Sequence, residues 1–160
     1  MPVDQAAGIL APGVMSPTDF GFDALPELPE PAIPDVSGKR QAIIDDALTQ
    51  IGKWYVWGGE SDAEGGFDCS GLLFWAFTKN GVDIPRVSGA QAARGKRVDI
   101  TKLRPGDLVA WENNPEAPGA DHIALYLGDG WILEAPRTGL KVRKRKLRAN
   151  EGAWGVAMDY

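Results

Sequence analysis

The sequence predicts an α+β domain built on a central antiparallel sheet of about five to six strands, preceded by an extended acidic segment. Three observations carry this. Residues 1–36 hold seven of the twelve prolines and six acidic residues, with no lysine or arginine; that composition favours extended chain and forbids a long helix. From Ser37 the apolar residues fall at helical spacing. Beyond residue 108, short apolar runs alternate with Gly, Pro and Asp clusters, and helices followed by strands is the order of an α+β domain.

The elements follow in order. Residues 1–36, which include "LPELPEPAIPD", read as a semi-rigid tail or linker, with an inhibitory prosegment as the alternative. Residues 37–160 read as the folded domain. In "SGKRQAIIDDALTQIGK" Ala42, Ile43, Ala47, Leu48 and Ile51 share one stripe, so a helix is expected to end about Gly52. "WYVWGG" reads as a short extended piece running into a turn. Cys69 to about Lys79 is apolar on most sides, as a buried helix is, and Asn80-Gly81 ends it. "SGAQAARG" is a second short helix. The strand-like runs are Leu108–Trp111, His122–Leu127, Trp131–Ala135, Leu140–Lys146 and Gly155–Met158.

Composition narrows the function classes. With 160 residues, 44% hydrophobic and 24% charged, the chain suits one globular domain with a real core plus a tail. A single cysteine excludes an internal disulfide, and no Cys/His cluster suggests a metal site. The N-terminal stretch lacks the basic n-region of a signal peptide, and no run approaches a membrane span. The net charge of −5 resides in residues 1–36, which carry −6, leaving a near-neutral body of +1 that gives no support to nucleic-acid binding.

The only cysteine lies in "GGFDCSGLLFWAF", residues 65–77. A free cysteine is by default a small buried apolar residue. Here Gly65, Gly66 and Asp68 mark a turn, which places Cys69 in the first turn of the helix that follows. The unpaired amides and positive dipole end of a helix start favour a thiolate there and could hold an oxyanion formed when the sulfur attacks a carbonyl. Such a nucleophile needs a base, and the chain has one histidine, His122. "DHIALYLGDGWILEAP" reads as a hairpin turning at residues 128–130. A three-residue loop there pairs Tyr126 with Ile132, which sets Glu134 diagonal to His122 on one face. Glu134 could then accept a hydrogen bond from one ring nitrogen and leave the other for the thiol. A two-residue loop would put Glu134 on the opposite face, where it would meet solvent.

These residues resemble the NlpC-type cell-wall peptidases, bacterial relatives of papain. The matching segments are "YVWGG" (55–59), "FDCSGLLFWAF" (67–77), "IPRVSGAQAARGKRV" (84–98), "LRPGDLVAW" (103–111), "DHIALYLGDG" (121–130) and "EAPRTG" (134–139), in family order over nearly all of 37–160. The resemblance implies a papain-like fold with the nucleophile at a helix N-terminus, Cys69 as nucleophile and His122 as general base and then acid. The third position is commonly His, Asn or Gln in the family; Glu134 there resembles the mycobacterial invasion-associated branch. A carboxylate at that place would favour a thiolate–imidazolium pair. Tyr55, Asp68, Ser70 and Arg86 match substrate-side positions, Asp68 and Ser70 those that in some members hold the free amine of a stem peptide. A carboxylate beside the nucleophile opposes thiolate formation, so Asp68 should have a compensating use.

The implied activity is hydrolysis of an amide bond in peptidoglycan stem peptides, between D-glutamate and a diamino acid, through an acyl-enzyme, with no metal or organic cofactor. Such an enzyme acts at the cell wall, outside the membrane or in the periplasm, and is expected to be a monomer as an isolated domain. Residues 1–36 could attach it to a phage tail particle or a larger protein. Two other readings stay open: an inactive wall-binding or phage structural module, and an acyl or amide transferase on the same fold.

Other features have plainer readings. "KVRKRKLR" (141–148) reads as a solvated edge strand protected by charge, with an anionic polymer as the alternative. Trp54, Trp57, Trp75 and Trp154 are expected to fill core or pocket walls, while Trp111 and Trp131 could line a cleft. "WENNPEAPGAD" (111–121) is a long loop beside His122, a candidate cleft wall or lid.

Overall fold

The computed structural model describes residues 37–160; the tail, prosegment and attachment readings of residues 1–36 lie outside them. Three helices, α1 (Gly38–Leu48), α2 (Cys69–Lys79) and α3 (Ser88–Arg94), accompany nine strands. These are β1 (Trp54–Tyr55), β2 (Glu60–Ser61), β3 (Gly66–Phe67), β4 (Lys96–Val98), β5 (Leu108–Trp111), β6 (His122–Gly128), β7 (Trp131–Glu134), β8 (Arg143–Lys146) and β9 (Trp154–Ala157). Six of them form an antiparallel sheet in the order β4-β9-β5-β6-β7-β8, and three short ones form a second sheet, β1-β3-β2. The α+β expectation and the six-strand upper count hold. No described helix is long and apolar enough to cross a membrane.

The core explains why α2 sits where it does. Leu72, Leu73, Ala76 and Phe77 of α2 are fully buried against Ile123 and Leu125 of β6 and Ile43 and Ala47 of α1. At about 1.5–3 kcal/mol for each large side chain, this burial fixes the helix to the sheet. A smaller apolar cluster of Val109, Trp111, Ala124 and Ile132 also forms around the sheet.

Where the structure departs from the sequence reading, the reasons are local. Helix α1 stops at Leu48, short of Gly52, because Thr49 to Gly52 turn away and Ile51 ends up 45% exposed. Leu140–Lys146 is not one strand: residues 140–142 hydrogen-bond to residues 52–55, and only from Arg143 does the chain pair with β7. Trp57 is not core but 85% exposed at the rim of the groove, and Trp54 is exposed with Lys141 over its ring. Strand β4 lacked any apolar signal, since its "KRV" is charged and largely exposed.

Candidate active site

Local sequence builds the start of α2. Asp68 is its N-cap, its carboxylate accepting from the Gly71 amide at 2.7 Å. Gly66, at φ +154°, lets β3 lie against β1: a Cβ there would sit 1.9 Å from the Trp54 carbonyl oxygen. Gly71 is required for the same reason, because its Cβ would lie 1.9 Å from the Gly59 carbonyl oxygen. Cys69 and Ser70 occupy the first turn, where amides have no intrahelical acceptor.

His122 opens β6 and pairs with Trp111 on β5, whose indole lies against the imidazole at 4.9 Å between ring centroids. The hairpin that follows turns on two residues, with Gly128 opposite Trp131, and not on the three expected. A bulge between Tyr126 and Gly128 restores the expected pairing of Tyr126 with Ile132, and Leu125 lies opposite Leu133. Asp129 in the turn carries φ +54°, a conformation that aspartate tolerates better than most residues. Alternation along the two strands then brings Glu134 to His122. The imidazole Nε2 meets Glu134 Oε1 at 2.9 Å, which leaves Nδ1 for the sulfur.

Glu134 is buried, its side chain 1% exposed, and a lone carboxylate could not remain charged there. It is not alone. Its Oε2 accepts from Arg143 Nε at 2.9 Å and Arg145 Nε at 2.7 Å. Arg145 in turn donates through Nη1 and Nη2 to the two oxygens of Glu151, both at 2.9 Å. Burial pushes the Glu134 carboxyl up, but the bonds from His122 and Arg145, then the charge of His122 and the bond from Arg143, outweigh it and hold the group down at about 2. Burial likewise works against a charged His122, yet hydrogen bonding to the Cys69 sulfur and to Glu134 raises it to about 9. At neutral pH the ring is therefore held as an imidazolium against the Glu134 carboxylate. The basic run is an edge strand, as its charge suggested, but its arginines serve the site.

Sulfur and imidazole lie where two stretches of a groove meet. One, of about 440 Å³, is lined by His122, Trp111, Arg137 and Arg143; the other, of about 590 Å³, by Trp57, Asp68, Ser70 and Arg86; Cys69 and Tyr55 border both. On the second side Arg86 donates to both Asp68 oxygens, at 3.2 and 3.3 Å, and to Ser70 Oγ at 2.9 Å, and also pairs with Glu60. Asp68 thus has compensating uses within the chain, as helix cap and as partner of Arg86. Burial, then the charges of Cys69 and Asp68, raise the Tyr55 phenol above its usual range despite Arg86, so it stays a neutral donor beside the sulfur. The 111–121 loop is a wall closed by Asp121, whose carboxylate accepts from the Asn113 and Asn114 amides.

All seven residues that the sequence points to thus border the groove. Arg143, Arg145 and Glu151 were not selected. A strand with positive charge on both faces carries no sign of which face is buried, and Glu151 carried no signal at all.

The NlpC/P60 family profile matches residues 52–155. The chain belongs to the NlpC/P60 family. It is 39% identical over 133 residues to the probable endopeptidase Rv2190c of Mycobacterium tuberculosis, across 83% of this chain and 32% of that protein. The solved structure of the peptidoglycan hydrolase RipB from the same organism superposes with a TM-score of 0.67 at 30% identity, covering 98% of this chain and 79% of that one. RipD, also from M. tuberculosis and described as a non-catalytic NlpC/p60 domain protein adapted to peptidoglycan binding, gives a TM-score of 0.62 at 31% identity, over 75% and 97%. The chain spans about a third of the length of the curated Rv2190c protein. Because NlpC/P60 members include a non-catalytic one, the residues of the site and not the fold decide the chemistry.

Proposed function

We propose that this domain is a peptidoglycan hydrolase, a cysteine endopeptidase that cuts an amide bond in wall stem peptides. The observation that carries the reading is the Glu134–His122 bond through Nε2, which leaves Nδ1 to the thiol of Cys69. In this reading the Cys69 thiolate attacks the carbonyl carbon, and the oxyanion is met by first-turn amides of α2. His122 then gives its proton to the departing amine, and the acyl-enzyme is released by a water that His122 deprotonates. Glu134 keeps the ring oriented and stabilises its charge throughout. Tyr55, Asp68, Ser70 and Arg86 form the acyl side of the groove, because the departing amine must lie on the side of His122. The D-glutamyl–diamino acid bond is the finer assignment, and it rests on the family resemblance together with the endopeptidase and peptidoglycan-hydrolase names of the relatives. Delivery by a phage particle would involve residues 1–36, and the relatives lend it no support.

The test is digestion of purified wall and of defined muropeptides, with fragments identified by mass. New amino groups are expected with the wild type and none with Cys69→Ala, whose circular dichroism should be unchanged. Binding of wall without any release of amines by the wild type would instead make it a module of the RipD kind. Transfer to an added amine in preference to water would make it a transferase.

A further inference from the structure

The two sides of the groove differ in how their arginines are used. On the acyl side Arg86 is spent within the chain, on Asp68, Ser70 and Glu60. On the other side two guanidinium groups keep donors free. Arg143 stands opposite Glu134 in the β7–β8 ladder and is tied to it through Nε alone. Its two terminal nitrogens have no partner among the described residues, and the side chain is 47% exposed. Arg137 follows β7 in a turn closed by the Leu140 amide on its carbonyl. It is exposed and has no ion pair among the described residues. The acidic groups that line this stretch are engaged elsewhere: Asp121 by loop amides, Glu134 by His122 and the arginines, Glu151 by Arg145.

The chemistry fixes which half of a substrate meets these groups. His122 must reach the nitrogen that departs, so the residue carrying that nitrogen lies on the imidazole side of Cys69, in the stretch that Arg137 and Arg143 line. A guanidinium anchored through Nε presents its remaining N–H groups as a fixed fork, the geometry that matches a carboxylate.

We propose that Arg137 and Arg143 form a subsite for a free carboxylate on the residue that carries the departing amine. This deepens the peptidase reading and rests on it. The enzyme would then select wall peptides whose departing residue is a free acid over those in which that carboxylate is amidated or absent. Modification of that one carboxyl group would be enough to mask a wall from it.

The test uses a matched pair of stem-type peptides that differ only in a carboxylate or a carboxamide on the departing residue, with kcat/KM measured for each. A charge-assisted contact at a part-exposed site should favour the carboxylate peptide about tenfold at low salt, falling as ionic strength rises. The ratio should move toward one in Arg137→Gln and in Arg143→Gln. The ratio, not the rate, is read, because Arg143 also touches Glu134. A ratio near one in the wild type, or one that neither substitution changes, overturns the subsite while leaving the hydrolase intact. If neither peptide is cut by the wild type and both are untouched by Cys69→Ala, the hydrolase reading fails and the subsite falls with it.

Discussion

His122 and Glu134 are twelve residues apart in the chain and 2.9 Å apart in space, joined through Nε2 and Oε1 across one hairpin. The carboxylate is the innermost of a series of charges that runs from Cys69 through His122 and Glu134 to Arg145 and Glu151.

Replacing Glu134 with Gln keeps the shape and removes the charge. A hydrogen bond to a charged group contributes roughly 1.5–3 kcal/mol, so kcat should fall about 10- to 100-fold with little change in KM. Steady-state kinetics on a defined muropeptide checks this. An unchanged kcat would mean that orientation alone is enough.

The pH dependence has a definite sign. His122 is raised from 6.5 to about 9, so the stability it contributes is fully present below pH 6.5 and is lost as pH rises through 9. Glu134 is lowered from 4.5 to about 2, so its contribution is present above pH 4.5 and lost as pH falls through 2. The charged groups facing the ring are Cys69 and Glu134, with Arg143 and Arg145 behind the carboxylate. Activity should therefore decline above about pH 9, and NMR titration should find the His122 pKa lower in both Cys69→Ala and Glu134→Gln.

Arg145→Met removes the inner half of the clamp and leaves Glu151 without its bidentate partner. A reduced kcat and an alkaline limb shifted to lower pH are expected. Both effects should vanish when the substitution is made in Glu134→Gln, because Arg145 acts through that carboxylate. Persistence of the full loss in the double variant would assign Arg145 a structural role instead.

A different ion pair holds the far end of the domain. Arg40 on α1 and Asp107 before β5 are 3% and 0% exposed, 3.1 Å apart, with further bonds to Pro105 and Met158. Arg40→Met leaves the buried Asp107 carboxylate with the Arg104 and Met158 amides and the longer, part-exposed Arg104 pair, so urea unfolding should show a loss of roughly 2–3 kcal/mol, below that of a fully unpaired buried charge. The kcat of the folded fraction should stay at the wild-type level.

Much of this was legible in the chain because the signals were local. Helix α2 announced both its ends, with the Gly65-Gly66 and Asp68 turn before it and Asn80-Gly81 as stop, and an apolar surface between them; that Asp68 caps it emerged from the structure. The Tyr126–Ile132 pairing is the one expected of a three-residue turn, but the chain reaches it through a two-residue turn and a bulge between Tyr126 and Gly128, which turn length alone does not reveal. Strands β1, β2 and β3 are two residues long, and no periodicity can be read from two residues. The roles of Arg143 and Arg145 were hidden for another reason. Nothing in "KVRKRKLR" distinguishes an arginine facing solvent from one facing a buried carboxylate on the neighbouring strand. That distinction exists only once β7 and β8 are paired.

The position of β8 has a further consequence. It is one of the two edge strands of its sheet, the kind of element that opens first when a protein breathes. When its pairing with β7 loosens, Arg143 and Arg145 leave together, and the carboxylate behind His122 loses the counter-ions that keep it charged. Amide exchange along Arg143–Lys146 should therefore track catalytic competence more closely than exchange in α2. Fraying of that one edge would withdraw the support behind His122 while Cys69 and the core remain in place.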